Sequence, residues 1–125
     1  MTPPRAHRSL MVALLLSAGA AAFAAPPAQT SNGMLVGPNG MTLYTFDKDT
    51  AGTGKSACSG PCATAWPPLM APADAKAEGD WSVITRDDGA KQWAYKGKPL
   101  YYFQKDTAAG DKNGDNMRDV WHIAK

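Results

Sequence analysis

Histidine and cysteine are scarce in this chain, with two of each in 125 residues. His7 falls in a leader-like start, so His122 is the one histidine left for the folded part. The chain holds no G-x-S-x-G, no HExxH and no phosphate-cradling glycine loop, which removes the usual hydrolase, zinc-protease and nucleotide-binding readings. No long apolar run is present either. Leu10 to Ala22, interrupted by Ser17 and Gly19, is too short and too rich in alanine for a comfortable membrane span. Charge of one sign is also lacking. Once Arg5 and Arg8 are set aside, eleven basic side chains face eleven acidic ones, and the formal charge drops from +2 to 0. A balanced surface gives no electrostatic reason to expect nucleic acid or an anionic membrane as partner.

The first 24 residues read as a secretory signal. Arg5, His7 and Arg8 precede the apolar run, and Ala22-Phe23-Ala24 fits the small-x-small cleavage rule. The expectation is a protein cleaved near Ala24, periplasmic or secreted, with no stable membrane insertion afterwards. In an exported chain, Cys58 and Cys62 are most simply a disulfide. Their spacing permits one across a turn at a helix start.

One stretch occurs twice. Gly40 to Ala51 and Gly97 to Ala108 both read G-x-x-L-Y-x-F-x-K-D-T-A, with eight of twelve positions identical at an offset of 57. A repeat at fixed spacing settles architecture before anything else. The expected organisation is a signal peptide over 1–24, a flexible linker over 25–32 and a two-repeat domain over 33–125. The fold class is mainly β, a small single domain of two related antiparallel β-hairpin halves with one short helix.

Local signals place the elements. Met34 to Val36 and Thr42 to Phe46 flank Gly37-Pro38-Asn39-Gly40, a turn sequence, and so predict a hairpin. Pro61 suits the first position of a helix, and Pro67-Pro68 stops it after Trp66. In the second half, Trp81 to Thr85 and Lys91 to Tyr95 are strands around an Asp-Gly turn. Leu100 to Phe103 is the repeat strand and Val120 to Ile123 the last one. Asp106 to Asp119 is a long polar loop. Trp66 and Trp121 close the two halves at similar distances after the motif.

Residues two apart on a strand share a face. Tyr44 therefore projects with Phe46, and Tyr101 with Phe103. Asp49 and Asp106 lie just past the strands, where a carboxylate can accept backbone N–H groups of the next turn. Two outcomes follow from this pattern. The aromatics pack a core, or they line a ligand groove built by two related halves.

Tyr44/Phe46/Asp49 and Tyr101/Phe103/Asp106 resemble the bacterial secreted-repeat family defined by a Yx(FWY)xxD motif. Cys58-x-x-x-Cys62-Ala63-x-x-Trp66-Pro67-Pro68-Leu69 and Gly110-Asp111-x-Asn113-Gly114 before Val120-Trp121-His122 are similar to it as well. The resemblance covers nearly all of the chain after the leader. It implies an exported small domain and carries no assigned reaction. Members of that family are often lipoproteins. This chain departs there, since no cysteine follows its leader to take a lipid.

Three constellations bear on chemistry. Cys58, Cys62 and His122 offer a copper or thiol-redox set, with Met34, Met41, Met70 or Met117 able to add soft sulfur. Haem attachment is disfavoured, because Ala63 stands where the histidine should follow the second cysteine. Asp111, Asn113, Asp115 and Asp119 occupy positions one, three, five and nine of a calcium-loop pattern. Asn116 and His122 replace its glycine and its bidentate glutamate. The leading expectation is a non-enzymatic envelope module that binds a small ligand or a partner protein, with copper or thiol redox handling as the alternative.

Overall fold

The computed structural model describes residues 26–125. The leader and its cleavage site therefore lie outside the described residues. Among the described residues, seven short strands and one short helix follow in order. They are β1 (Gln29–Ser31), β2 (Met34–Val36), β3 (Tyr44–Phe46), α1 (Pro61–Ala65), β4 (Trp81–Thr85), β5 (Lys91–Tyr95), β6 (Lys98–Pro99) and β7 (Trp121–Ile123), with a single 3-10 turn at Met117–Asp119. All the pairing is antiparallel, in three small sheets: β1-β2, β3-β7 and β4-β5-β6.

Each half opens on a hairpin, β1-β2 in the first and β4-β5 in the second. The stretch expected as a linker thus supplies a strand. Gln29, Thr30 and Ser31 are all exposed, so no apolar alternation announces them. They are held by backbone pairing to β2 instead. The turn at Gly37 to Gly40 forms as its residues dictate, and Gly40 takes φ +82 where an L side chain would be strained. The expected hairpin of β2 with the motif segment forms only in part: Val36 bridges to Thr42 and the Leu43 N–H donates to Leu35 O at 3.0 Å, after which the chain leaves β2.

The motif segments instead meet the other half, through β3 in the first repeat and, in the second, through isolated bridges at Tyr101, since Leu100 to Phe103 does not form the expected strand. Tyr44 and Tyr101 lie side by side: the Tyr44 N–H donates to Tyr101 O at 2.7 Å and the Tyr101 N–H to Tyr44 O at 3.0 Å. A pseudo-twofold axis runs between them. On one side Tyr44 pairs with Ile123, and on the other Tyr101 bridges to Pro68. The same symmetry relates Ala124 N–H to Leu43 O, 2.9 Å, with Leu69 N–H to Leu100 O, 2.9 Å. It also relates Leu35 N–H to Ala124 O with Trp93 N–H to Leu69 O, both 2.9 Å. The motif segment of each half is therefore paired with the closing segment of the other half. The halves exchange their ends.

Two cores follow from the strand alternation. Leu43 and Leu100 point to one side and pack with Leu35, Leu69, Ala28 and Ala124. Tyr44, Tyr101 and Phe103 point to the other, with Trp66, Trp121 and Cys58. Gly114 is required in the second core. A Cβ there would stand 2.6 Å from Cη2 of Trp66 and 3.1 Å from Phe103, closer than packed atoms allow.

Candidate functional site

The four motif aromatics divide by role. Tyr44 and Tyr101 are both 0% exposed, so each phenol must find its hydrogen bond inside the protein. Each finds it in the opposite repeat. Tyr44 donates to Asp106 Oδ2 at 2.6 Å, and Tyr101 donates to Asp49 Oδ2 at 2.6 Å. The second oxygen of each carboxylate fixes its own loop, Asp49 Oδ1 accepting from Ala57 N–H at 2.6 Å and Asp106 Oδ1 from Asn113 N–H at 2.9 Å. The aspartates thus accept backbone N–H groups, but from residues further along the loop than the next turn. The crossed Tyr–Asp pair was not expected from sequence.

Burial and the neighbouring carboxylates push both phenols well above their ordinary value of 10.0. Burial also raises Tyr102. For Asp49, burial pushes the carboxyl up, while the bonds from Tyr101 and Ala57 and the charge of Arg86 oppose it. The tyrosine sign is definite. A folded-state pKa above the unfolded one gives stability that is complete below pH 10 and is lost as pH rises past it. Each phenol held protonated above that point costs about 1.4 kcal/mol per pH unit. We expect tyrosinate absorbance to appear together with loss of the folded signal in an alkaline titration. The double variant Tyr44→Phe/Tyr101→Phe should lose this steep alkaline dependence, and an unchanged profile would contradict the assignment.

The two halves differ around their Tyr–Asp pairs. Tyr44 OH also accepts from Gly114 N–H at 3.2 Å. Tyr101 OH contacts Ser56 Oγ at 2.6 Å, and Arg86 lies behind that hydroxyl. Arg86 is only 7% exposed. It donates to Gln92 Oε1 at 2.7 Å, to Ser56 Oγ at 3.1 Å and to the Cys58 carbonyl. Gln92 in turn donates to Leu100 O at 2.8 Å. Arg86 opens the expected turn between β4 and β5, and nothing local announces its burial, because Ser56 and Cys58 lie thirty and twenty-eight residues upstream. The only available signal was Gln92, an inward-facing polar residue opposite Trp93 and Tyr95.

Cys58 and Cys62 form a disulfide, with Cα atoms 5.2 Å apart. It ties the segment before α1 to the helix. Pro61 starts α1 after Gly60 as its ring predicts. The copper set is not assembled. His122 places Nε2 2.8 Å from Asp47 Oδ2 and Nδ1 3.2 Å from Asn116 Oδ1. The calcium set does not converge either. Asp111 Oδ2 accepts from Thr107 and Ala108 N–H, which lowers its pKa. Asn113 donates to Lys105 O, and Asp115 accepts from Ile123 N–H. Asp119 lies in the 3-10 turn with φ +61. Among the described residues, no three His, Cys, Asp or Glu side chains come together as a metal site. Asp111 and Asp115 are turned onto backbone donors, which is what a sequence pattern without the bidentate glutamate leaves them to do.

Phe46 and Phe103 behave differently from the tyrosines. They cap a run of four stacked rings: Phe46 on Trp121 at 4.1 Å, Trp121 on Trp66 at 3.8 Å, and Trp66 on Phe103 at 4.1 Å. The interplanar angles are 11°, 4° and 20°. Tyr44 and Tyr101 meet this stack edge-on, against Trp66 and Trp121 respectively. A groove of about 540 Å³ runs over it. All four stacked rings line this groove, with Lys48, Lys105 and Arg118 among its other residues. Lys48 and Lys105 are the same motif position in the two repeats. The size falls in the range of small-molecule sites.

Two intertwined copies of one sequence unit, each completing the other, define a tandem-repeat protein. The chain belongs to the family described as a secreted repeat of unknown function, whose model matches it twice, over residues 27–70 and 82–125. No curated protein and no solved structure matches it. Membership makes it an exported protein. Among the described residues, no helix is long and apolar enough to cross a membrane.

Proposed function

We propose that this protein is a non-enzymatic binding module of the cell envelope, and that its ligand occupies the groove over the four stacked rings. One observation carries the reading. The groove is lined by the repeated motif itself, through Phe46, Lys48, Phe103 and Lys105, together with Trp66 and Trp121. The repeat therefore does two jobs. Its leucines, tyrosines and aspartates build the fold, and its phenylalanines and lysines reach the groove. Apolar ring surface with a few convergent polar groups is the usual make-up of a ligand site. His122 is held by Asp47 and Asn116 and is not among the groove residues, which favours binding over acid–base chemistry there.

The reading is tested by amide chemical shifts of isotope-labelled protein mixed with fractions of the producing cells' envelope and medium. The expected response is confined to residues 46–48, 103–105 and 117–121. Ala65→Phe, which fills the groove from the end of α1, should abolish the response. Lys105→Glu provides a second variant that leaves the rings untouched. Shifts that map elsewhere, or that survive both variants, would overturn the proposal.

A further inference from the structure

The stacking decides which part of each ring a ligand can meet. Trp66 is stacked on both Trp121 and Phe103, and Trp121 on both Trp66 and Phe46. Phe103 and Trp121 make no ring pair with each other, so they lie on opposite faces of Trp66. Both faces of each central indole are therefore covered. A ligand in the groove meets the indole edges. Ring edges carry the positive part of the aromatic quadrupole, and the faces carry the negative part. A floor of edges disfavours a cation and favours an electron-rich or anionic group.

The side-chain charges agree. The groove lining contains Lys48, Lys105 and Arg118 and no carboxylate. Each of the other three clefts described includes at least one aspartate, at Asp87 and Asp88, at Asp74, or at Asp106. None of the three groove cations is in an ion pair among the described residues, where the recorded pair is His122 with Asp47. The chain after the leader is formally neutral, so this cationic lining is a local concentration and not a reflection of overall charge.

The pseudo-twofold axis adds geometry. It relates Lys48 to Lys105, Phe46 to Phe103 and Trp66 to Trp121. The groove thus offers the same cation at two symmetry-related places, with apolar ring edges between them. From this we infer that the groove selects an aromatic organic dianion, with one acidic group directed to each repeat lysine. The inference rests on the binding reading above and specifies the chemistry of that site.

Bis-ANS, a symmetric aromatic disulfonate, is the probe. ANS, its one-sulfonate counterpart, and thioflavin T, a cationic aromatic, are the comparisons. In low-salt fluorescence titrations of the mature protein, bis-ANS should bind at a single equivalent and at least about tenfold tighter than ANS, because its second sulfonate binds intramolecularly. Thioflavin T should give no enhancement. Lys48→Ala and Lys105→Ala should each weaken bis-ANS by about two- to fivefold, the range for exposed charge contacts. The double variant should reduce it to the ANS level. Both lysines are exposed, so the variants keep the fold, and amide shifts report where the dye sits. If the shifts map to the groove but ANS binds as well as bis-ANS, or the lysine variants bind as wild type, the dianion inference is overturned and the groove reading survives. If the dye binds away from the groove or not at all, both fall.

Discussion

Trp66→Ala should lower the unfolding free energy by about 3–5 kcal/mol, the range for removing a large buried aromatic. That is a large share of the roughly 5–15 kcal/mol that holds a small domain folded. Trp66 is central to the second core. It is stacked on Trp121 at 3.8 Å and Phe103 at 4.1 Å and takes the edge of Tyr44 at 5.4 Å. It also abuts Gly114, where an added Cβ would meet the Cη2–Cζ3 edge of its six-membered ring. Phe46→Ala should cost less, because Phe46 stacks on one neighbour and is only half-buried. Denaturant titration of the three proteins measures the order. A sharper consequence lies at Gly114. Gly114→Ala alone should destabilise by about 1–3 kcal/mol through overpacking, yet added to Trp66→Ala it should cost much less or nothing, since the clashing ring is gone. Additive losses in the double variant would contradict the packing described.

The second large effect is at the crossed Tyr–Asp bonds. Tyr44→Phe removes the donor to Asp106 and leaves the carboxylate, only 7% exposed, short of a partner. A buried group left unsatisfied costs about 1–3 kcal/mol, more when charged. Asp106→Ala should cost at least as much, because Asn113 N–H also loses its acceptor. The two losses should not add. The double variant removes both ends of one bond, so the cycle should show a coupling of about 0.5–3 kcal/mol. Tyr44→Phe combined with Asp49→Ala breaks two separate bonds, and its losses should sum more nearly. Equal coupling in both cycles would mean that the repeats are not cross-paired as the 2.6 Å contacts indicate.

Several elements were legible because their causes are local. The alternation of Lys91 to Tyr95 and the Asp-Gly turn before it gave β4 and β5 with their observed ends. Pro61 and Pro67 bracketed α1. The repeat announced two related halves, and Tyr44, Phe46, Tyr101 and Phe103 were singled out from it. The pairing of those halves was not legible. β3 meets β7 across most of the chain, and nothing in Tyr44 to Phe46 prefers Ile123 over Val36 as a neighbour. β1 was missed because three exposed polar residues carry no pattern. Arg86 was missed because its burial depends on a carbonyl and a hydroxyl from the Ser56 to Cys58 segment. The metal patterns misled for a related reason. Cys58 and Cys62 are joined to each other, His122 is held by Asp47 and Asn116, and Asp111 and Asp115 accept from backbone N–H groups.

The exchange of ends between the repeats sets an order in time. Leu35 and Leu43 wait for Ala124, and Tyr44 waits for both Tyr101 and Ile123. The N-terminal half of the molecule thus has few finished pairings of its own beyond β1-β2. A polypeptide that crosses a membrane from its N-terminus would present this half first, with Tyr44 unsatisfied and its leucines uncovered, until the final residues emerge. Loss of its last five residues should therefore disable the beginning of the protein as much as the end.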